Sequence, residues 1–245
     1  MILAAVSMRT CPRHGQYSRK DTFECPVCRT EQEATAERRR RTERILQLTE
    51  SATIPVRFAA KGFAKYIPKT QAQTVAREAC EAFAEAIFER VEAGSCVTLI
   101  GPQGVGKTHL LVALVAQAVA RLVGARYITQ MDFLAAIKGN WAWHGAEEVA
   151  QGLIPVPLLA LDEMLTPAHE SDRQALFELV DARYRALRAT LVASNLSWPQ
   201  MRVAFGERLC DRLLENGGKV ISLDGTSQRC QIAGITKEIQ HGNQA

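Results

Sequence analysis

The run "GPQGVGKTHLL", residues 101–111, has the spacing G-x-x-x-x-G-K-[ST] and follows directly on the apolar stretch "CVTLI". Glycines there let backbone N–H groups turn inward, and a helix beginning just after them adds positive potential, which together make a cradle for phosphates. Gly101, Pro102, Gln103, Gly104, Val105, Gly106, Lys107, Thr108 and His109 form that cradle. Lys107 is placed to neutralise β and γ oxygens and Thr108 to offer its hydroxyl to Mg2+, so ATP and Mg2+ are the expected cofactors. Further on, "LLALDEM" ends in Asp162 and Glu163. An acid able to hold the magnesium shell is thus followed by one able to polarise a water, which implies hydrolysis and not transfer to a small acceptor. The apolar run "LVASN" places Asn195 at the same edge of a sheet, where its amide can position the water or simply end a strand.

A second group of chemical residues lies near the start. Cys11, His14, Cys25 and Cys28 form C-x2-H-x10-C-x2-C, with Pro12, Gly15 and Pro26 to tighten the turns. Two such knuckles can point four ligands at one tetrahedral ion, and Zn2+ is the expected metal. A Cys3His set leaves no open position for an activated water, so this metal is expected to hold structure and not to catalyse. Cys80, Cys96, Cys210 and Cys230 lack that spacing and read as packing residues.

Elements must position these groups. The chain has 245 residues and 47% apolar content, enough for one medium domain with a small appendage. No stretch is long and apolar enough to span a membrane, and the N-terminus lacks the charge and exit pattern of a secretory signal, so a cytoplasmic protein with reduced thiols is expected. The net charge of +4 decides little about partners. Residues 1–30 read as the zinc region and 31–51 as a charged helical linker in which Arg38 to Arg41 serve as a solvated face or a binding surface. Residues 52–245 read as the main domain. Its helical stretch from Gln71 to Gly94 carries Val75, Ala79, Phe83, Ile87 and Val91 at helical spacing. Apolar runs "CVTLI", "ARYIT", "VPLLAL", "ATLVAS" and "KVISL" alternate with helical segments and predict a three-layer α/β fold around a five-stranded, mainly parallel sheet.

In their order and spacing, "GPQGVGKTHL", "LLALDEM", "LVASN" and "GERLCDRL" resemble the AAA+ ATPases of the DnaC and IstB type, which include bacterial and phage replicative-helicase loaders and transposition helpers. The resemblance covers roughly residues 52–230 and extends to "IPVRFAAKGFAKY", similar to a lead-in that lies close to the nucleotide base. It implies that Lys107, Asp162, Glu163 and Asn195 are catalytic, that Arg208 is an arginine finger reaching a neighbour's γ phosphate in a ring or spiral, and that Arg229 is a second sensor. On residue types alone, Arg208 and Arg212 with Glu207, Asp211 and Glu215 make an equally ordinary surface salt-bridge lattice.

The resemblance also implies contact with single-stranded DNA through the region holding Trp141, Trp143 and Lys138, although alternating tryptophans serve equally as core. It assigns the gripping of a DnaB-type hexameric helicase to the region before the ATPase domain. The N-terminal cluster is similar to that of phage-encoded loaders, which implies a bacterial cell and a phage or prophage origin. The expected function is an ATP-dependent helicase loader. An IstB-like transposition helper is the alternative, and a P-loop small-molecule kinase a remote one because the Asp-Glu pair has no use there.

Overall fold

The computed structural model describes residues 7–19, 25–139 and 145–225. The chain divides into two compact units, Met1–Gln47 and Leu48–Ala245. In the first, β1 (Ser7–Cys11) and β2 (Gly15–Arg19) pair antiparallel across a turn at residues 12–14, and Gly15 leaves that turn with a φ of 76° that suits glycine. A helix, α1 (Pro26–Ser51), follows; its last residues belong to the second unit. The helix runs unbroken through residues 30 and 31, where the zinc region and the charged linker were expected to meet. Proline is tolerated in the first helical turn, so Pro26 opens the helix and Cys28 falls within it. The helix is exposed over most of its length and rests on strong helix formers and on i,i+4 pairs such as Arg39–Glu43 at 2.9 Å.

In the second unit, short 3-10 turns at Val56–Phe58 and Phe63–Lys65 lead into α2 (Gln71–Glu85) and α3 (Ile87–Glu92). The single helix expected over this stretch breaks at Ala86, where ψ turns to 29°. Phe83, Ile87 and Val91 are buried as expected. Val75 is 48% exposed, and Ala76 and Cys80 face inward instead. Alternation then proceeds through β3 (Val97–Ile100), α4 (Lys107–Ala120), β4 (Ala125–Thr129), α5 (Gln130–Gly139) and α6 (Gly145–Leu153). It ends with β5 (Leu158–Met164), α7 (Glu170–Arg185), β6 (Ala189–Ser194), α8 (Trp198–Phe205), α9 (Glu207–Leu214) and β7 (Lys219–Ser222).

The sheet has the order β4-β5-β6-β3-β7 and every pairing in it is parallel. Leu159 and Leu161 join a core with Phe133, Leu176, Leu179, Met201 and Leu209. Leu158 and Ala160 leave the strand on the other face and are just as buried, so helices must cover both faces. The guanidinium of Arg183, fully buried, donates to the carbonyls of Leu153, Ile154, Val156 and Ala189 and to Thr190 Oγ1. It stitches α7 to the segment that enters β5 and to the start of β6. Among the described residues no helix is long and apolar enough to cross a membrane.

Candidate functional site

β3 delivers the chain to the glycine-rich loop at the C-terminal edge of the sheet, and Gly106 caps α4 in a left-handed conformation. A Cβ at Gly106 would lie 2.5 Å from Tyr66 Cε2, so only glycine fits between that ring and the loop. Lys107 is 7% exposed; its Nζ donates to the carbonyls of Gly101 and Pro102, at 2.6 and 2.7 Å, and to Asn195 Oδ1 at 2.8 Å. Lys107 and the amide just past the end of β6 thus meet, 88 residues apart in sequence. Around them is a cleft of about 280 Å3 whose lining includes Phe58, Lys61, Thr108, Asp162, Glu163 and Asn195. The cleft brings Gln103, Gly104, Gly106, Lys107, Thr108 and His109 of the loop together with both acids and Asn195.

The two acids reach one cleft through an irregularity. Leu161 and Met164 both point into the core of Leu159 and Phe133, with the β5–β6 register shifting between them. Glu163 has φ of 54°, in the left-handed region. Strict alternation would have sent Asp162 and Glu163 to opposite faces; the extra residue lets both line the cleft. Asp162 is 2% exposed and accepts from Tyr127 Oη at 2.7 Å and from the Glu163 N–H at 2.8 Å. Burial, followed by the Asp162 charge, drives the Tyr127 phenol far above its usual value.

The lead-in also lies on the loop. Tyr66 Oη donates to the Val105 carbonyl at 3.2 Å, its ring stands edge-on to His109 at 5.2 Å, and His109 Nε2 donates to the Gly62 carbonyl at 2.9 Å. Burial, with help from the Lys61 charge, holds His109 below its usual value, and burial pushes Tyr66 up to about 12. Phe58 carries the Arg57 guanidinium over its ring at 4.4 Å. Phe58, Lys61, Tyr66 and Tyr127 were not among the sequence-derived site residues; the signal for the first three was the lead-in stretch "IPVRFAAKGFAKY" that contains them.

Arg208 sits on α9, exposed, with its guanidinium 5.2 Å from the Phe177 ring. Among the described residues no carboxylate pairs with it. Arg212 is engaged with Asp181 at 3.1 Å and Glu215 at 3.3 Å, so the salt-bridge lattice forms there. Lys138 is half-exposed and paired with Asp172 at 2.8 Å. Trp141, Trp143, Arg229 and Cys230 lie outside the described residues. Cys80, Cys96 and Cys210 are buried, with thiols pushed up by burial, as packing residues should be.

In the first unit, Cys11, His14, Cys25 and Cys28 converge, their ligand atoms all within 4.8 Å of one another. His14 Nδ1 stands 3.3, 3.7 and 3.8 Å from the sulfurs of Cys28, Cys11 and Cys25, and the Cys11 and Cys28 sulfurs are 3.6 Å apart. Tetrahedral Zn2+ bonds of about 2.3 Å to sulfur and about 2.0 Å to nitrogen give edges of about 3.5 to 3.8 Å, so the donor set fits. The His14 Nε2–H donates to Glu31 Oε1 at 3.2 Å, which leaves Nδ1 as the inward lone pair. The Arg13 N–H draws the Cys11 thiol down to about 6, whereas the Cys11 sulfur pushes its neighbour Cys28 up to about 11.

A parallel sheet with a glycine-rich loop after one strand and an Asp-Glu pair at the end of another defines a P-loop nucleotide-binding protein. The chain belongs to the family of IstB-like ATP binding proteins, whose profile matches residues 1–233. It is 28% identical to YdaV of Escherichia coli (strain K12) over 56% of this chain and 57% of that protein. It is 27% identical to a protein of insertion sequence IS232 from Bacillus thuringiensis subsp. berliner, over 54% and 55%. To the replicative helicase loader DnaC of Escherichia coli (strain K12) it is 26% identical over 55% and 56%. The matches thus span little more than half the length of these relatives. In fold the chain is similar to the crystal structure of the DnaC helicase loader, with TM-score 0.63 at 20% identity over 69% of this chain and 100% of that one. DnaI gives TM-score 0.63 at 19% identity over 74% and 99%. The architecture is that of DnaC-like AAA+ proteins.

Proposed function

We propose that this chain is an ATPase that loads a DnaB-type hexameric helicase onto single-stranded DNA in the bacterial cytoplasm, encoded by a phage or prophage. The observation that supports the reading is a cleft lined by Lys107, Thr108, Asp162, Glu163 and Asn195 together with a separate cluster of four metal-ligand side chains, in a chain similar to DnaC. Mg2+ held by Thr108 and Asp162 would neutralise charge on the β and γ oxygens. Lys107 holds the γ phosphate, the Glu163 carboxylate draws a proton from the attacking water, and the Asn195 amide orients that water. Arg208 completes the cleft of a neighbouring copy in a ring or spiral, and Arg229 acts as a second sensor. Zn2+ on the four N-terminal ligands would staple a small helicase-gripping unit, and the Trp141–Trp143 segment with Lys138 would face DNA. A transposition helper is the second reading, favoured by the family's IstB name and by the IS232 relative.

The test is a pull-down of the full chain, and of Cys25→Ser, against the helicase of its host, a transposase encoded beside it and bare single-stranded DNA. Capture of helicase by the wild type and not by Cys25→Ser is expected. Selection of the transposase would overturn the loader reading and leave the nucleotide chemistry standing.

A further inference from the structure

Among the described residues β4 is an edge strand, with a pairing strand on one side alone. At Tyr127 the other side is taken by the chain just after α1. The Tyr127 N–H donates to the Ala52 carbonyl at 2.8 Å, and Thr53 Oγ1 donates to the Tyr127 carbonyl at 2.6 Å. Thr53 itself has φ of 53°, a left-handed turn that lets it fold back on the strand edge. The same tyrosine sends its hydroxyl to Asp162 Oδ2, while the other carboxylate oxygen is held by the Glu163 N–H. Ala52, Tyr127 and Asp162 are each 5% exposed or less. One ring therefore spans from the edge of the sheet to the carboxylate in the cleft, fastened at the backbone on one end and at the phenol on the other.

We infer that Tyr127 is a positioning residue for the Asp162 carboxylate and that the Ala52–Thr53 segment, by fixing Tyr127, helps set that carboxylate's orientation. The inference rests on the reading of Asp162 as the Mg2+ carboxylate. Removing the phenol hydroxyl frees Oδ2 to rotate or to seek another donor, and loss of such an outer partner costs metal affinity on the order of 10-fold. The ring itself stays in place, so the packing of β4 is kept.

The experiment titrates Mg2+ into the full chain with a fluorescent N-methylanthraniloyl ATP, alongside the same titration in EDTA and a melting curve. Tyr127→Phe is expected to raise the Mg2+ midpoint by about 10-fold while nucleotide affinity in EDTA stays unchanged, which a merely structural defect would not leave intact. Thr53→Val, which removes one tether and touches no cleft residue, is expected to move the midpoint about threefold in the same direction and to add nothing in the Tyr127→Phe background. Asp162→Asn is the control. If it leaves the midpoint unchanged, the Mg2+ assignment itself falls. A shift in Asp162→Asn with a wild-type midpoint in Tyr127→Phe overturns the positioning role. A Thr53→Val effect that is absent, or that adds fully to Tyr127→Phe, overturns the link to residues 52–53.

Discussion

Asp162 and Glu163 are adjacent in a strand, and adjacent strand side chains leave on opposite faces. Their types and their place after an apolar run were legible in the sequence; the bulge that turns both toward the phosphate loop was not, because a register shift is a property of two paired strands. Tyr127 was hidden for a similar reason: its hydroxyl finds Asp162 only through the pairing of β4 with β5. The meeting of Lys107 and Asn195 was legible, since motif and strand end place both at the same edge of the sheet. The division of labour between the acids is testable. Glu163 is exposed and Asp162 enclosed, so Glu163→Gln removes the water-polarising charge with little disturbance of the loop. It is expected to retain ATP and lose hydrolysis by about 100-fold or more, whereas Lys107→Ala loses ATP itself. Filter binding beside phosphate release separates them, and equal turnover by Glu163→Gln and wild type would remove Glu163 from the mechanism.

At the scale of elements, the five sheet strands fell where apolar runs predicted, because buried parallel strands carry little besides apolar residues. Helix limits were harder. A break at Ala86 costs no proline or glycine and leaves no local mark, while α1 starts earlier than its charge pattern suggested. The hairpin, cluster and start of α1 have a further peculiarity. Among the described residues of the first unit, Cys11 and Cys25 are the buried ones, so within those residues burial is confined to the ligands. A fragment of this size buries too little to fold on a core alone and commonly takes its folding energy from a metal. The protein is expected to carry about one Zn2+ per chain. Chelation, or Cys25→Ser, should abolish hydrogen-exchange protection in residues 7–19 while leaving the melting of the larger unit in place. Metal analysis with peptide-resolved exchange reads both, and a metal-free protein with a protected hairpin would end the zinc assignment.

For the whole molecule, the question is what α9 presents to other copies. Arg208 and Arg212 share a helix and a spacing, and sequence alone allowed both to serve as surface ion pairs. Arg212 does so, held by Asp181 and Glu215 and stacked 4.2 Å over Tyr184. Arg208 is braced by Phe177 and pairs with no carboxylate among the described residues, so its charge is available to a second molecule. A charge supplied to a neighbour's γ phosphate should behave as a property of the interface and not of the subunit. Arg208→Ala and Glu163→Gln should each lower hydrolysis sharply, the first by about 1000-fold in an assembled preparation. Mixed in equal amounts, they leave some interfaces at which an intact Glu163 faces an intact Arg208. Random closed assembly makes that about a quarter of all interfaces, so a comparable share of wild-type phosphate release is expected to return. A mixing series over several ratios distinguishes this from leakage in either variant, since rescue must peak near equal amounts and vanish at both ends. No rescue at any ratio, in a preparation shown by sedimentation to co-assemble, would return Arg208 to the surface of its own subunit.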